Sequence, residues 1–205
     1  MLTLENFYSV NGIYEDKNHD GLPDGIRGKI YLQKNASDTE KRLALNLLAR
    51  LAYDCTAMSV DNLVFYEDEI KNPEGILIHV DQEADINWDE TRIFTKETQL
   101  VILAKTQEAL EVNGLYLYGR MPYIWEVEKE APTFSTLKEL LPKLKIKNGA
   151  IEEIVLSQKY KGLKELKISA ELDSVEEAEQ IFKKSCLGQN IQRLIFTRLD
   201  QEEVI

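Results

Sequence analysis

The sequence predicts an α/β fold, with a mixed or mostly parallel sheet and flanking helices, followed by a small α+β subdomain of ββαβ order. Three observations support it: short runs of Val, Ile and Leu without in-out alternation, amphipathic helical segments beside them, and alternating strands towards the carboxyl end. Continuous apolar runs are typical of strands buried on both faces. We expect an N-terminal segment at 1–28, an α/β domain at 29–130 and the subdomain at 131–205.

The first regular elements follow a segment rich in Gly and Pro, which favours turns over periodic structure. A short strand is predicted at Lys29–Gln33. Ser37 and Glu40 then have the spacing of a capping box, which marks the start of a helix. Apolar residues recur at helical spacing through about Tyr53 and form one face of this helix: Leu43, Leu47, Leu48 and Leu51.

Three apolar runs follow this helix, and each predicts a buried strand: residues 62–66, 76–80 and 100–104. Thr106 can cap a second helix at Gln107–Tyr118, which Asn113 and Gly114 weaken and Pro122 ends. The predicted order is therefore strand, helix, strand, strand, strand, helix. The residues expected to share one core are Leu43, Leu47, Leu51, Val64, Ile76, Ile78, Val101 and Leu103.

The remaining chain begins with a charged stretch ending in Ala-Pro, which predicts a boundary near residue 130. Ser174 and Glu177 form a capping box, and Gly188 is placed to stop the helix that starts there. The predicted elements are a short helix at 136–141, a hairpin of 152–160 and 165–172, a helix at 174–185 and a strand at 191–198.

The composition is acidic, with 25 Lys and Arg residues against 36 Asp and Glu residues and a net charge of -11. Such a charge opposes docking on nucleic acid phosphates or on anionic lipid. No run is long enough to span a membrane, and the N-terminus lacks the pattern of an export signal, so we expect a soluble chain. Cys55 and Cys186 are distant in sequence; two free buried thiols are favoured over one disulfide.

The stretch DKNHDGLPD places oxygen-bearing side chains at alternate positions. Asp16, Asn18 and Asp20 occupy positions one, three and five, Gly21 occupies position six and Asp24 position nine. A tight turn brings alternate side chains to one side, and glycine permits the backbone angle that closes it. Since Ca²⁺ prefers oxygen ligands, the spacing predicts a calcium loop; the alternative is an Asx-rich turn without metal.

This stretch resembles the DxDxDG calcium loops of EF-hands, dockerins and thrombospondin type 3 repeats. The resemblance implies that Asp16, Asn18, Asp20 and Asp24 supply side-chain oxygens and that Leu22 supplies its backbone carbonyl to Ca²⁺. It covers these residues alone, so it implies a site and no fold. Glu15 and His19 are expected to point outward, with Glu15 available as a further ligand.

One position departs from the EF-hand pattern. Arg27 stands at the twelfth position, where that family has a bidentate glutamate. We therefore expect a loop without an exit helix, of modest affinity, whose cation stabilises the N-terminal segment. The function predicted is a non-catalytic calcium-stabilised binding or structural module, part of a larger bacterial secreted or surface protein, which favours an extracellular location.

A rival prediction is a metal-dependent hydrolase-like enzyme that uses His79 and Asp81. Both lie at the end of a predicted strand, where ligands of α/β sheets gather, and acidic residues follow as far as Glu90. The simpler interpretation places His79 in the core, hydrogen-bonded and largely enclosed, and the acidic residues after Asp81 in solvent. His79→Gln is then expected to cost stability rather than activity.

A second rival is a subunit of a protein assembly that offers a sheet edge. Aromatic residues also cluster near Arg120, which suggests either a stacking platform for a carbohydrate or peptide, or ordinary packing. The members of this cluster are Tyr116, Tyr118, Tyr123 and Trp125.

Overall fold

The computed structural model describes residues 3–57, 60–66, 73–118, 142, 146, 148–160, 162–170, 174–184 and 193–198. The strands are β1 Tyr14–Glu15, β2 Gly25–Ile26, β3 Lys29–Gln33, β4 Leu63–Tyr66, β5 Gly75–Val80, β6 Glu90–Lys96, β7 Gln99–Ala104, β8 Gly149–Ser157, β9 Gly162–Ala170 and β10 Arg193–Arg198. The helices are α1 Asp38–Asp54, α2 Gln107–Tyr118 and α3 Val175–Lys184, and a short 3-10 helix spans Val60–Asn62.

Eight strands form one mixed sheet in the order β10-β9-β8-β6-β7-β5-β3-β4. The pairs β10/β9, β3/β4, β3/β5 and β5/β7 are parallel, and the pairs β6/β7, β6/β8 and β8/β9 are antiparallel. Both α1 and α2 pack against this sheet and against each other. The predicted α/β class with a mixed sheet is therefore confirmed.

The capping box predicted at the start of α1 is present. Glu40 donates its backbone N–H to Ser37 Oγ at 3.2 Å, and its Oε2 accepts from Ser37 N at 2.8 Å, so two N–H groups at the helix start are satisfied. The other oxygen of Glu40, Oε1, accepts from Val80 N at 3.3 Å. This carboxylate therefore ties the start of α1 to the end of β5.

The second helix begins as predicted, since Thr106 Oγ1 accepts from Ala109 N at 3.1 Å. The Asn113–Gly114 pair that weakens its sequence pattern has a packing reason. A Cβ at position 114 would lie 2.9 Å from Leu43 Cδ1, so glycine allows α1 and α2 to approach closely. Asn113 is buried and donates to Asp89 O at 3.2 Å and to Thr91 Oγ1 at 3.1 Å.

The core prediction is confirmed for most of its members. Val101 is buried outside the main core cluster, and Val64 and Leu103 are half-buried. Because side chains alternate along a strand, Val101 and Leu103 lie on the face of β7 opposite to that covered by the helices. The members that share the cluster are Leu43, Leu47, Leu51, Ile76 and Ile78.

The strand β6 is absent from the sequence prediction, which placed the acidic residues Glu83, Asp85, Asp89 and Glu90 in a solvated loop. That prediction is wrong for Asp89 and Glu90, which are 7% and 5% exposed. Asp89 Oδ2 accepts from Ser157 Oγ at 2.5 Å, and Glu90 Oε1 lies 2.6 Å from Lys164 Nζ. These partners are far away in sequence, so composition alone gives no sign that the two acids can be buried.

The ββαβ order predicted for the carboxyl part is present as β8, β9, α3 and β10. Glu177 N donates to Ser174 Oγ at 3.2 Å, which caps α3 as expected. The sheet contains strands from both sides of the boundary predicted near residue 130, and the division into domains stays a prediction. That boundary, the helix at 136–141 and the stop at Gly188 lie outside the described residues.

Candidate functional site: the loop between β1 and β2

The candidate site is the connection of a small antiparallel hairpin. In that hairpin Tyr14 pairs with Ile26 and Glu15 pairs with Gly25. Asp24 N donates to Glu15 O at 2.7 Å, which closes the base of the loop. Gly21 adopts φ +89°, a left-handed conformation that glycine reaches without strain, so the turn depends on this residue.

The side-chain oxygens at the predicted ligand positions turn towards the loop's own backbone. Asp16 Oδ1 and Oδ2 accept from Asp20 N at 3.2 Å and Gly21 N at 2.9 Å. Asp24 Oδ2 accepts from Lys17 N at 2.8 Å, across the width of the loop. Asn18 bridges to Asp20, because its Nδ2 lies 3.0 Å from Asp20 Oδ2. Four of the predicted ligands are thus gathered in one hydrogen-bonded turn.

Among the described residues, the aspartates of this turn have no basic side chain as an ion-pair partner. Lys17 Nζ pairs with Glu15 Oε2 at 3.2 Å, outside the predicted ligand set. In the described part of the chain, none of Asp16, Asp20 and Asp24 forms an ion pair. Three carboxylates therefore share a short, exposed turn in which their mutual repulsion is relieved by hydrogen bonds from N–H groups.

The donor chemistry of the loop fits a hard cation, since carboxylate, amide and carbonyl oxygens suit Ca²⁺. Leu22, the predicted carbonyl ligand, is 57% exposed, and its N–H donates to Asp20 Oδ1 at 2.8 Å. The arrangement is that of a turn rather than of a closed coordination sphere. Across the described ranges, no group of three or more His, Cys, Asp or Glu side chains is placed to hold a metal ion.

Arg27, at the twelfth position, has a structural role. Its Nε donates to Tyr14 O at 3.2 Å and one terminal nitrogen donates to Val10 O at 3.1 Å, while its backbone N donates to Ile13 O at 2.7 Å. The chain after the loop continues as the strand β2 and not as a helix. The loop thus lacks the exit helix and the glutamate of an EF-hand.

The rival pair His79 and Asp81 lies at the end of β5 and in the turn that follows it. His79 is half-buried on β5, opposite Leu103 of β7, and its Nδ1 is enclosed without a hydrogen-bond partner among the described residues. The hydrogen bond expected for an enclosed ring is thus not found at Nδ1 among the described residues, while the enclosure of the ring itself is intermediate. Asp81 Oδ1 accepts from Glu83 N at 2.9 Å, which closes a local turn.

Three clefts formed by described residues lie elsewhere. The largest of these, about 690 Å³, is beside β6 and β8 and includes Arg92 and Phe94. Four of its charged side chains form two ion pairs, Arg92 with Glu153 at 3.3 Å and Lys167 with Glu152 at 3.2 Å, and Glu97 also lines it. The others measure about 420 and 160 Å³. Neither His79 nor Asp81 lines any of these clefts.

Two members of the predicted aromatic cluster, Tyr116 and Tyr118, belong to the described residues. Tyr116 is 9% exposed within α2, and its burial raises the pKa of the phenol well above the ordinary value. Tyr118 is half-buried against the same core. These two side chains serve packing rather than a stacking platform; Arg120, Tyr123 and Trp125 lie outside the described residues.

A partly buried cluster that the sequence prediction missed joins β1, which leads into the loop, to α1. Tyr14 Oη donates to Asp54 Oδ2 at 2.5 Å, and Arg50 pairs with the same oxygen at 2.5 Å. The Arg50 guanidinium also lies over the Tyr8 ring, 5.0 Å from its centroid. Burial, and then the hydrogen bond to Asp54, raise the pKa of Tyr14 far above its ordinary value. The i, i+4 spacing of Arg50 and Asp54 is the only local signal of this cluster.

Cys55 follows α1 and is a free, half-buried thiol. Burial, followed by the nearby charges of Asp54 and Asp24, raises the pKa of this thiol to about 11. The thiol is therefore protonated and unreactive at neutral pH. Cys186 lies outside the described residues.

Comparison of the chain with protein-family models, with curated proteins and with solved structures found no match. None of the helices within the described ranges is long and apolar enough to cross a membrane.

Proposed function

We propose that this protein is a calcium-stabilised binding or structural module, in which the loop of residues 16–24 holds one Ca²⁺. The ligands would be side-chain oxygens of Asp16, Asn18, Asp20 and Asp24 and the carbonyl of Leu22, with water in the remaining positions. Because no bidentate glutamate follows, we expect an affinity between micromolar and millimolar, far weaker than the about 10⁻⁹–10⁻⁸ M of cytosolic buffers.

One observation supports this proposal most: three aspartate carboxylates are gathered in one hydrogen-bonded turn without an ion-pair partner among the described residues. Hydrogen bonds from N–H groups use only part of the capacity of these oxygens, since a carboxylate offers about four lone-pair sites. A divalent cation would use the remaining sites and offset the repulsion. Ca²⁺ suits such a loop better than Mg²⁺, which demands strict octahedral geometry and loses its water reluctantly.

The role proposed for the cation is structural. The loop joins two strands of only two residues each, so the hairpin itself contributes few hydrogen bonds. A bound cation would hold the turn closed and thereby keep Tyr14 and Ile26, at the base of the hairpin, in their buried positions.

The direct test is a calorimetric titration of the chelator-treated protein with CaCl₂. We expect one site per chain in the wild type, no measurable site in Asp20→Ala, and weaker binding of Mg²⁺. Asp85→Ala is a matched control, since Asp85 is likewise an exposed loop aspartate, and it should bind as the wild type does.

Equilibrium dialysis with CaCl₂ provides a second readout that does not depend on the heat of binding. Circular dichroism of each variant establishes that its fold is intact. The proposal fails if the wild type binds no Ca²⁺ at millimolar concentration by either method, or if Asp20→Ala binds as well as Asp85→Ala.

A further inference from the structure

The strand that leads into the loop is fastened to the end of α1. Tyr14 is 3% exposed, and its hydroxyl donates to Asp54 Oδ2 at 2.5 Å. Asp54 is the last residue of α1, where a negative charge is unfavourable beside the negative end of the helix dipole, and the last turn contains no basic residue. The helix end therefore depends on Arg50 and Tyr14 to offset the Asp54 charge.

The chain that leaves the loop is fastened to the residues that follow the same helix. Thr56 N donates to Pro23 O at 2.8 Å, and Thr56 Oγ1 lies 3.4 Å from Asp24 Oδ1. Gly25 lies against Ala57, since a Cβ added to this glycine would be 3.5 Å from Ala57 O. Both arms of the loop thus end on one short segment, residues 54–57.

The cluster around Asp54 extends to α2. Arg50 lies over the ring of Tyr8, whose hydroxyl donates to the carbonyl of Leu117. Burial raises the pKa of Tyr8 well above its ordinary value, so its hydroxyl stays a donor. Charge-assisted bonds such as those to Asp54 are stronger than neutral ones, and the loss of one partner in a connected cluster weakens the others.

We propose that the loop of residues 16–24 and the end of α1, residues 50–57, open and close as one cooperative unit. Whatever orders the loop then also orders the helix end, and whatever loosens the helix end loosens the loop. This inference deepens the proposed function, because it names the end of α1 as the element whose order follows that of the loop. Only the expected response to CaCl₂ rests on the proposed calcium site. The coupling itself depends only on the contacts of Tyr14, Asp54 and Thr56.

Hydrogen exchange measured by mass spectrometry on the full chain tests the coupling without any cation. In chelator, Tyr14→Phe removes one hydrogen bond to a charged group and should speed exchange about tenfold in residues 14–27 and also in residues 50–57. Tyr53→Phe is the matched control, since Tyr53 lies at the same helix end but is 48% exposed; its exchange should match the wild type. Faster exchange in only one of the two segments would overturn the proposal.

Asp54→Asn is a second variant, for use if Tyr14→Phe lowers stability too far. It keeps the shape and an acceptor oxygen but removes the charge, so both segments should loosen together, by less. In the wild type, CaCl₂ should slow exchange in both segments. If CaCl₂ slowed exchange only in residues 14–27, the coupling would be overturned. If the variants exchanged faster in both segments in chelator but CaCl₂ had no effect on the wild type, the coupling would stand and the calcium site would be refuted.

Discussion

The environment of His79 differs from the sequence prediction in a way that changes the expected effect of a substitution. An apolar neighbourhood in the sequence predicts an enclosed, satisfied histidine, yet the ring is half-buried and its Nδ1 lacks a hydrogen-bond partner among the described residues. The apolar neighbours Ile78 and Val80 correctly predicted a strand here, but they gave no information on which groups surround the imidazole ring. A buried polar atom without a partner costs free energy, so the Nδ1 atom of His79 adds no hydrogen-bond stabilisation.

We therefore expect His79→Leu to leave the free energy of unfolding unchanged or to raise it slightly. The leucine retains apolar contacts with its neighbour Leu103 while removing a donor or acceptor that is not satisfied. Urea denaturation of the two proteins measures this difference. A loss above about 2 kcal/mol, the range seen when a satisfied buried group is removed, would show that the ring has a partner.

Among pairs of elements, β6 and β9, which β8 separates, are joined by an ion pair between the buried Glu90 and the half-buried Lys164. Lys164 Nζ lies 2.6 Å from Glu90 Oε1 and 3.0 Å from Glu165 Oε1. Burial alone would raise the pKa of Glu90, but hydrogen bonds from Lys164 and Asn87 outweigh it and hold that pKa below its ordinary value. The hydrogen bond to Glu90 outweighs desolvation and raises the pKa of Lys164.

Lys164→Met should lower the free energy of unfolding by about 3 kcal/mol, because Glu90 would keep a buried charge without its cation. In the wild type, the contribution of Glu90 is present above the unfolded pKa of about 4.3 and is lost as the pH falls through the lower folded pKa. The variant should show the opposite trend and gain stability relative to the wild type on acidification from pH 7 to 5, since its Glu90 pKa is raised. Denaturant midpoints across this range provide the measurement; parallel pH profiles for the two proteins would contradict the account.

Helices and strands whose sequence pattern lies within a few neighbouring residues could be predicted from the sequence. The capping boxes of α1 and α3 lie within four residues, and the apolar runs of β4, β5 and β7 are continuous, so helix starts and strands follow from the sequence. The buried start of β6 was missed because the partners of Asp89 and Glu90, Ser157 and Lys164, lie in β8 and β9, far away in sequence. The Tyr14–Asp54 contact was missed for the same reason, since it joins residues far apart in the chain.

At the scale of the whole molecule, buried residues of the N-terminal segment pack in the same core cluster as those of the sheet and of α1. Residues of the segment that precedes β3 belong to the same core cluster as the leucines of α1, among them Leu4, Phe7, Ile13 and Ile26. The loop is therefore attached to a buried base while its own residues are exposed. The loop sequence predicted the donor residues, but the base that positions them depends on contacts that only the folded chain shows.

If the loop binds Ca²⁺, the free energy of unfolding of the chain should depend on the calcium concentration. A cation that binds only the folded state raises the free energy of unfolding by about 2.7 kcal/mol at a concentration one hundred times its dissociation constant. For a chain of 205 residues, that corresponds to a midpoint higher by about 5–10 °C. Asp20→Ala should lose this gain and unfold near the wild type's midpoint in chelator, because the buried leucines of α1 are untouched.

The most direct test of the calcium-stabilised module is thus the thermal midpoint of unfolding, measured by calorimetry in excess CaCl₂ and in chelator for the wild type, Asp20→Ala and Asp85→Ala. The account predicts that CaCl₂ raises the midpoint of the wild type and of Asp85→Ala, increasingly with concentration, and leaves that of Asp20→Ala unchanged. A wild-type midpoint that is the same in millimolar CaCl₂ and in chelator would contradict it and identify residues 16–24 as an Asx-rich turn without a metal.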